Sequence, residues 1–175
     1  MHTRRTLLCS LALAPLATLL PGCGFQLRGA AHYPFASLYL QAPEGSELGR
    51  SLLRRLAASS HDLRLIIDAN ERHQADVVLH LQGERNERVV LAKTVAGQVR
   101  ELQLRLHLRV QLLGRDGRVW IESTEISQQR DMSYSENLTL AKDDEEAGLI
   151  RDMREDIAQQ LLRRLALVQQ PPQAE

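Results

Sequence analysis

The sequence predicts an α/β fold of the segregated, α+β kind: a two-layer sandwich whose mixed, mostly antiparallel sheet carries two helices on one face. Three observations predict it. Leu102, Leu104, Leu106, Leu108, Val110 and Leu112 alternate without a miss against Gln103, Arg105, His107, Arg109 and Gln111, which sets all the apolar side chains on one face of a strand. Leu48, Leu52, Leu53 and Leu56, and again Leu149, Met153, Ile157, Leu161 and Leu165, fall instead at helical spacing. A sheet and two helices that are each apolar on one side bury those sides most economically as two layers.

The first 22 residues stand outside that fold. Arg4 and Arg5 precede an apolar stretch, Thr6 to Leu20, of about 15 residues, long enough for a signal segment and short of the roughly 20 a membrane span needs. Leu20-Pro21-Gly22-Cys23 resembles a bacterial lipobox. The other cysteine, Cys9, lies within the signal, so the mature chain keeps one cysteine, at its own N-terminus, with nothing to pair with. This reads as lipid attachment at Cys23. Gly24 in the next position implies the outer membrane, by resemblance to enterobacterial sorting rules. The Arg-Arg pair leaves general secretion and twin-arginine export both open.

Residues 23–168 then form one domain, and "QQPPQAE", residues 169–175, reads as a disordered tail. Only 3% of the chain is aromatic against 43% apolar, so Leu, Val and Ile must fill the core. Without residues 1–22 the chain has 20 Lys and Arg against 22 Asp and Glu. Any recognition by charge is therefore local, and nucleic acid, which asks for a basic excess, is not an expected partner.

Ala36 to Gln41 alternates and reads as a short strand, broken by Pro43 and Gly45. Ser46 caps a helix running to about Ser59, and Leu63 to Asp68 is the next strand, so a right-handed crossover between parallel strands is expected. Asp76 to about Leu91 is a long strand with Val77, Leu79 and Leu81 on one face, and Gly97 marks the turn that follows. The alternating strand, Val99 to Leu112, spans about 46 Å at about 3.3 Å per residue. Asp116-Gly117 signals a hairpin, with Arg118 to about Tyr134 returning. Leu138 to Lys142 leads into a final helix, Asp143 to Val168. Its acidic start, Asp143 to Glu146, and basic end, Arg163 and Arg164, both suit the helix dipole.

No nucleophile motif, phosphate loop or metal-ligand spacing occurs, so no enzyme, cofactor or metal is expected. The mature histidines are scattered, and His80 and His107 are expected partly exposed on strand faces. The Asp143–Glu146 run lacks the spacing of a calcium loop. What remains is a patterned surface. Arg105, His107 and Arg109 stand about 7 Å apart along one strand, with Lys93, Arg100 and Lys142 near the turns. These cations suit phosphorylated or anionic groups, or else form an ordinary solvated face. Phe25, Leu27 and Arg28 follow the cysteine where a lipoprotein tether needs no apolar side chains. They dock on a partner or begin the domain's own first strand.

Gly22-Cys23-Gly24-Phe25-Gln26-Leu27-Arg28-Gly29 resembles the GCGxxLRG start of the LptE family of lipopolysaccharide-assembly lipoproteins, and "LTLAKDDEEAGLIRDMREDIAQQLLRRL", residues 138–165, is similar to that family's LAKD-x-E junction and final helix. The resemblance implies a plug, one to one, inside the outer-membrane β-barrel LptD, and lipopolysaccharide binding through basic residues at one end of the sheet. Lys142 lies in the matching LAKD stretch. Before Gly97, where the family tends to have a basic residue, this chain has Val95 and Ala96, with Lys93 slightly earlier. Phe25, Leu27 and Arg28 would then lie where the barrel wall begins. A free-standing periplasmic lipid carrier would instead need an enclosed apolar pocket, and a lipoprotein hydrolase a nucleophile.

Overall fold

The computed structural model describes residues 31–60, 62–135 and 139–170. Cys23, Phe25, Leu27, Arg28 and residues 171–175 of the expected tail lie outside them. The elements run β1 (Ser37–Gln41), α1 (Glu47–Ser59), β2 (Arg64–Ile66), a short 3-10 helix (Ala69–Gln74), β3 (Val77–Lys93), β4 (Val99–Gly114), β5 (Val119–Ser133) and α2 (Thr139–Leu167). The five strands form one mixed sheet in the order β2-β1-β3-β4-β5. β1 is parallel to both β2 and β3, and the β3–β4 and β4–β5 pairs are antiparallel hairpins. This is the expected α+β sandwich.

The core lies between the even-numbered side chains of β4 and the two helices. Leu102 to Leu112 on that face are all buried, against Leu48, Leu52 and Leu56 of α1 and Met153, Ile157, Leu161 and Leu165 of α2. Ser46 caps α1 as the sequence predicts, its Oγ accepting from Gly49 N at 3.0 Å. Carboxylates then fasten the helix layer to its surroundings. Arg88 of β3 pairs with Glu146 at 2.8 Å, Arg130 of β5 with Asp156 at 2.5 Å, and Arg55 of α1 with Glu155 at 3.0 Å.

Four features depart from the sequence expectations. β2 ends at Ile66 because Asp68 turns the chain, its side chain accepting from Asn70 N at 2.9 Å and opening the 3-10 helix. That helix lies on the sheet face opposite α1 and α2, beside Val78 and Leu113. On this same face His80 is buried rather than partly exposed, with Nε2 unpartnered. Burial, and secondarily the charge of Arg72, hold its imidazole below the usual histidine range.

α2 begins at Thr139, ahead of the acidic run, so Asp143 to Glu146 do not form its first turn. Ala141 and Lys142 are strong helix formers, and Lys142 Nζ donates to Glu145 Oε2 at 2.7 Å along the helix. The fourth departure is a bulge in β3 between Gln82 and Arg85. Gly83 has φ +63°, a conformation that side chains resist, and the shift aims Glu84 toward the helices. β1 pairs no further along β3 than His80, so among the described residues β3 from Gly83 to Lys93 has a neighbour on one side only.

Candidate functional site

The expected basic residues fall into two groups. Arg105, His107 and Arg109 share the outer face of β4, and there they do not form a cationic strip. Register sets Arg85 opposite His107, Glu87 opposite Arg105 and Glu125 opposite Arg109. Glu125 Oε1 lies 3.0 Å from His107 Nδ1, while Glu87 Oε2 stands 3.6 Å from His107 Nε2 and Oε1 accepts from Arg85 at 2.9 Å. The hydrogen bond from His107 holds the Glu125 carboxyl below the usual carboxylate range. Arg105 Nε donates to Gln103 at 2.7 Å, and Gln103 in turn donates to Asp131 at 2.9 Å. The face is polar and its charges are matched across three strands.

Lys93, Arg100 and Lys142 gather at one end of the sheet, around the β3–β4 turn. Thr94 N donates to Gln98 O and Gly97 N to Thr94 O, closing a turn in which Gly97 takes φ +83°. Arg100 O accepts from Tyr134 N at 2.9 Å, which sets Arg100 beside the end of β5, and Lys93 pairs in register with Val99, one strand away. Lys142 Nζ reaches the same place, 3.1 Å from Ser133 Oγ. Its side chain is only 15% exposed and is tied to Glu145, whereas Lys93 and Arg100 are exposed and have no side-chain partner among the described residues. Apolar side chains stand in water at this same end. Val95 in the turn is fully exposed, Leu140 in the first turn of α2 is 79% exposed, and Val90 and Leu91 are each 44% exposed.

The opposite end is aromatic. Tyr33 stacks on Phe35 at 5.7 Å between ring centroids, and Phe35 meets Trp120 edge-on at 6.0 Å. The described chain enters here, with Ala31 N donating to Ser59 O at 2.7 Å. Among the described residues no His, Cys, Asp and Glu side chains group closely enough to hold a metal ion. No helix among them is long and apolar enough to cross a membrane.

A family model described as LptE, lipopolysaccharide-assembly, matches residues 35–165, every strand and nearly all of α2. The chain belongs to the LptE family. An LPS-assembly lipoprotein LptE of Photorhabdus laumondii is 31% identical over 170 residues, covering 94% of this chain and 87% of that one. A Yersinia pestis protein of the same description is 31% identical over 169 residues, covering 94% and 77%. The solution structure of lipoprotein B from Nitrosomonas europaea matches with a TM-score of 0.67 at 27% identity, over 82% of this chain and 90% of that one. The crystal structure of rare lipoprotein B from Shewanella oneidensis matches at 0.61 and 25%, over 74% and 93%. The LptE-type fold thus extends over the residues that position both basic groups.

Sequence reasoning missed the partners of these groups. Glu87, Glu125 and Asp131 become counter-charges only when three strands are placed in register. Val95 and Leu140 lie in a turn and a first helical turn, where no periodicity marks an exposed apolar side chain. The Lys142–Glu145 pair was in the sequence, three residues apart, but only once α2 is known to start before it.

Proposed function

We propose that this LptE-family chain is a non-catalytic lipoprotein of lipopolysaccharide assembly, anchored through lipid on Cys23 to the periplasmic side of the outer membrane. It seats as a plug in the LptD β-barrel, one to one, and binds lipopolysaccharide at the β3–β4 turn. The observation that carries the binding is the company Lys93 and Arg100 keep. Among the described residues they are cations without a side-chain partner, at the same end of the sheet as exposed Val95, Leu91 and Leu140, a pairing of charge and apolar surface that suits an anionic amphiphile. Lys142 stands behind them and joins the contact when it leaves Glu145.

The matched outer face supports the plug reading, because a barrel lumen is polar and rewards a wet surface without net charge. Arg105 and Arg109 belong to that surface, and Phe25, Leu27 and Arg28 to the approach to the barrel wall. The free lipid-carrier reading lacks support, since leucines fill the space between the sheet and the helices.

The test is lipopolysaccharide binding by Lys93→Glu with Arg100→Glu, and separately by Lys142→Asp, at two salt concentrations. The double variant is expected to lose about tenfold or more in affinity at low salt, a loss that shrinks as screening rises. Barrel co-purification survives, since a few charges contribute little to an interface of plug size. Equal low-salt affinity of double variant and wild type would return these residues to solvation alone. Cys23→Ala tests the anchor: the domain folds and leaves the outer-membrane fraction when its partner is absent.

A further inference from the structure

On the helix layer, α1 and α2 line an open cleft of about 480 Å³. Arg50 and Arg54 of α1 and Arg151 and Arg154 of α2 line it, with Ser51 between them. Arg154 is neutralised, Nε donating to Glu84 at 2.8 Å and a terminal nitrogen to Glu47. Glu155, at the rim, is held by Arg55. Arg50, Arg54 and Arg151 are different. They are exposed, and they have no ion pair or side-chain hydrogen bond among the described residues.

Arg50 and Arg54 are four residues apart on one helix, a spacing at which like charges repel. Arg151 faces the same cleft from α2 and adds to that repulsion. Arg154 in the same cleft meets two carboxylates, and Arg55, Arg85, Arg88, Arg115 and Arg130 outside it each meet one. Arg50, Arg54 and Arg151 meet no counter-charge among the described residues, and the cleft's own two carboxylates, Glu47 and Glu155, are already held by Arg154 and Arg55.

We propose that this cleft binds a phosphate monoester carried on a sugar or a lipid headgroup. A phosphate brings nearly two negative charges and three acceptor oxygens, enough for guanidinium groups from both helices at once, with the Ser51 hydroxyl as a further donor. A single carboxylate offers two oxygens and one charge, and leaves part of the cluster unmatched. The volume takes a hexose phosphate. The site is on the opposite layer from the outer sheet face and is independent of the reading of the β3–β4 turn.

The full chain carrying Cys23→Ala, so that no lipid anchor binds the bilayer, is titrated without detergent with glucose 6-phosphate, with glucose, with hexaglutamate, and with phosphatidylcholine vesicles doped with phosphatidic acid. Glucose 6-phosphate is expected to bind where glucose does not. Arg54→Gln with Arg151→Gln weakens that binding by about tenfold, and circular dichroism checks that the double variant is folded. Arg163→Gln, at an exposed α2 position that does not line the cleft, leaves it unchanged. Vesicle binding lost in the same double variant assigns the phosphate to a lipid headgroup; glucose 6-phosphate binding without vesicle binding assigns it to a soluble sugar phosphate. Glucose 6-phosphate affinity equal in wild type and double variant, or no binding of either phosphate probe, overturns the proposal. Binding of hexaglutamate alone overturns it as well, and makes the cleft a groove for an acidic protein segment.

Discussion

Arg154 Nε donates a 2.8 Å hydrogen bond to Glu84 Oε1, joining the middle of α2 to the bulge of β3. The side chains are 20% and 17% exposed, and a second arm of Arg154 reaches Glu47 at the start of α1. One guanidinium thus holds two helices and the sheet together. Charge-assisted bonds of this kind contribute about 1.5–3 kcal/mol, and a partner left half-buried adds its own cost. Arg154→Met is expected to lower stability by about 2 kcal/mol, read as a lower urea midpoint at unchanged slope. Adding Glu84→Gln should recover part of the loss. A midpoint equal to wild type would place the pair with exposed ion pairs of little consequence.

β4 carries the second prediction. Leu106 is fully buried at its centre, and Arg105, one residue away, lies on the outer face. Leu106→Asp sets an unpaired carboxylate between the layers and should unfold the domain. Arg105→Ala loses one hydrogen bond to Gln103 and should cost about 0.5 kcal/mol. Circular dichroism and a denaturant curve separate the two, and equal damage would contradict a one-sided sheet.

Gly114 gives a test of packing at the aromatic end. A Cβ there would stand 2.7 Å from Trp120 Nε1 and 2.8 Å from Asp116 Oδ1. Gly114→Ala must therefore move the indole, and Trp120 is the single tryptophan of the chain. A shifted emission maximum with a stability loss of about 1–3 kcal/mol is expected. An unchanged spectrum would mean that the indole has room to give way.

His80 makes stability depend on pH. Its folded-state affinity for protons is lowered, so the unfolded chain takes up the proton first as the solution is acidified. The contribution is therefore neutral above the ordinary histidine range and destabilising below about pH 6.5, growing as pH falls toward the folded value. His80→Leu should flatten the stability profile between about pH 8 and about pH 5 relative to wild type. Parallel profiles would show that the imidazole keeps its proton behaviour on folding.

The fold was largely legible because its strongest signals are local. The unbroken alternation from Leu102 to Leu112 fixed a strand and its buried face, and Ser46 with the leucines after it fixed α1. Asp68 was legible as a residue type but not as a cap, since Leu63 to Asp68 continues an apolar run. The bulge at Gly83 was hidden because a glycine within a long strand pattern has no meaning until its φ is known. The site was less legible for the same reason. Arg105, His107 and Arg109 read as a cationic strip when β4 is seen alone, and only the neighbours in β3 and β5 supply Glu87 and Glu125. Lys93 and Arg100 differ, because among the described residues the fold pairs neither with a carboxylate.

The described chain enters the domain beside Trp120, and Lys93 and Arg100 lie at the far end of the long strands. Sixteen residues of β4, at about 3.3 Å each, separate those ends by roughly 53 Å. From Cys23 to Ala31 a fully extended chain covers at most about 28 Å, while the hydrocarbon of a bilayer is about 30 Å thick. Were Cys23 to carry lipid and the strands to run along a barrel axis, as proposed, that reach would keep the aromatic end close to the leaflet of the lipid. The ribbon beyond it is longer than the membrane is deep. A photo-crosslinker at Val95 would report which mouth of the barrel the turn reaches. A short leash and a long rigid arm would let one chain keep its lipid in one leaflet while its cations wait at the level of the other.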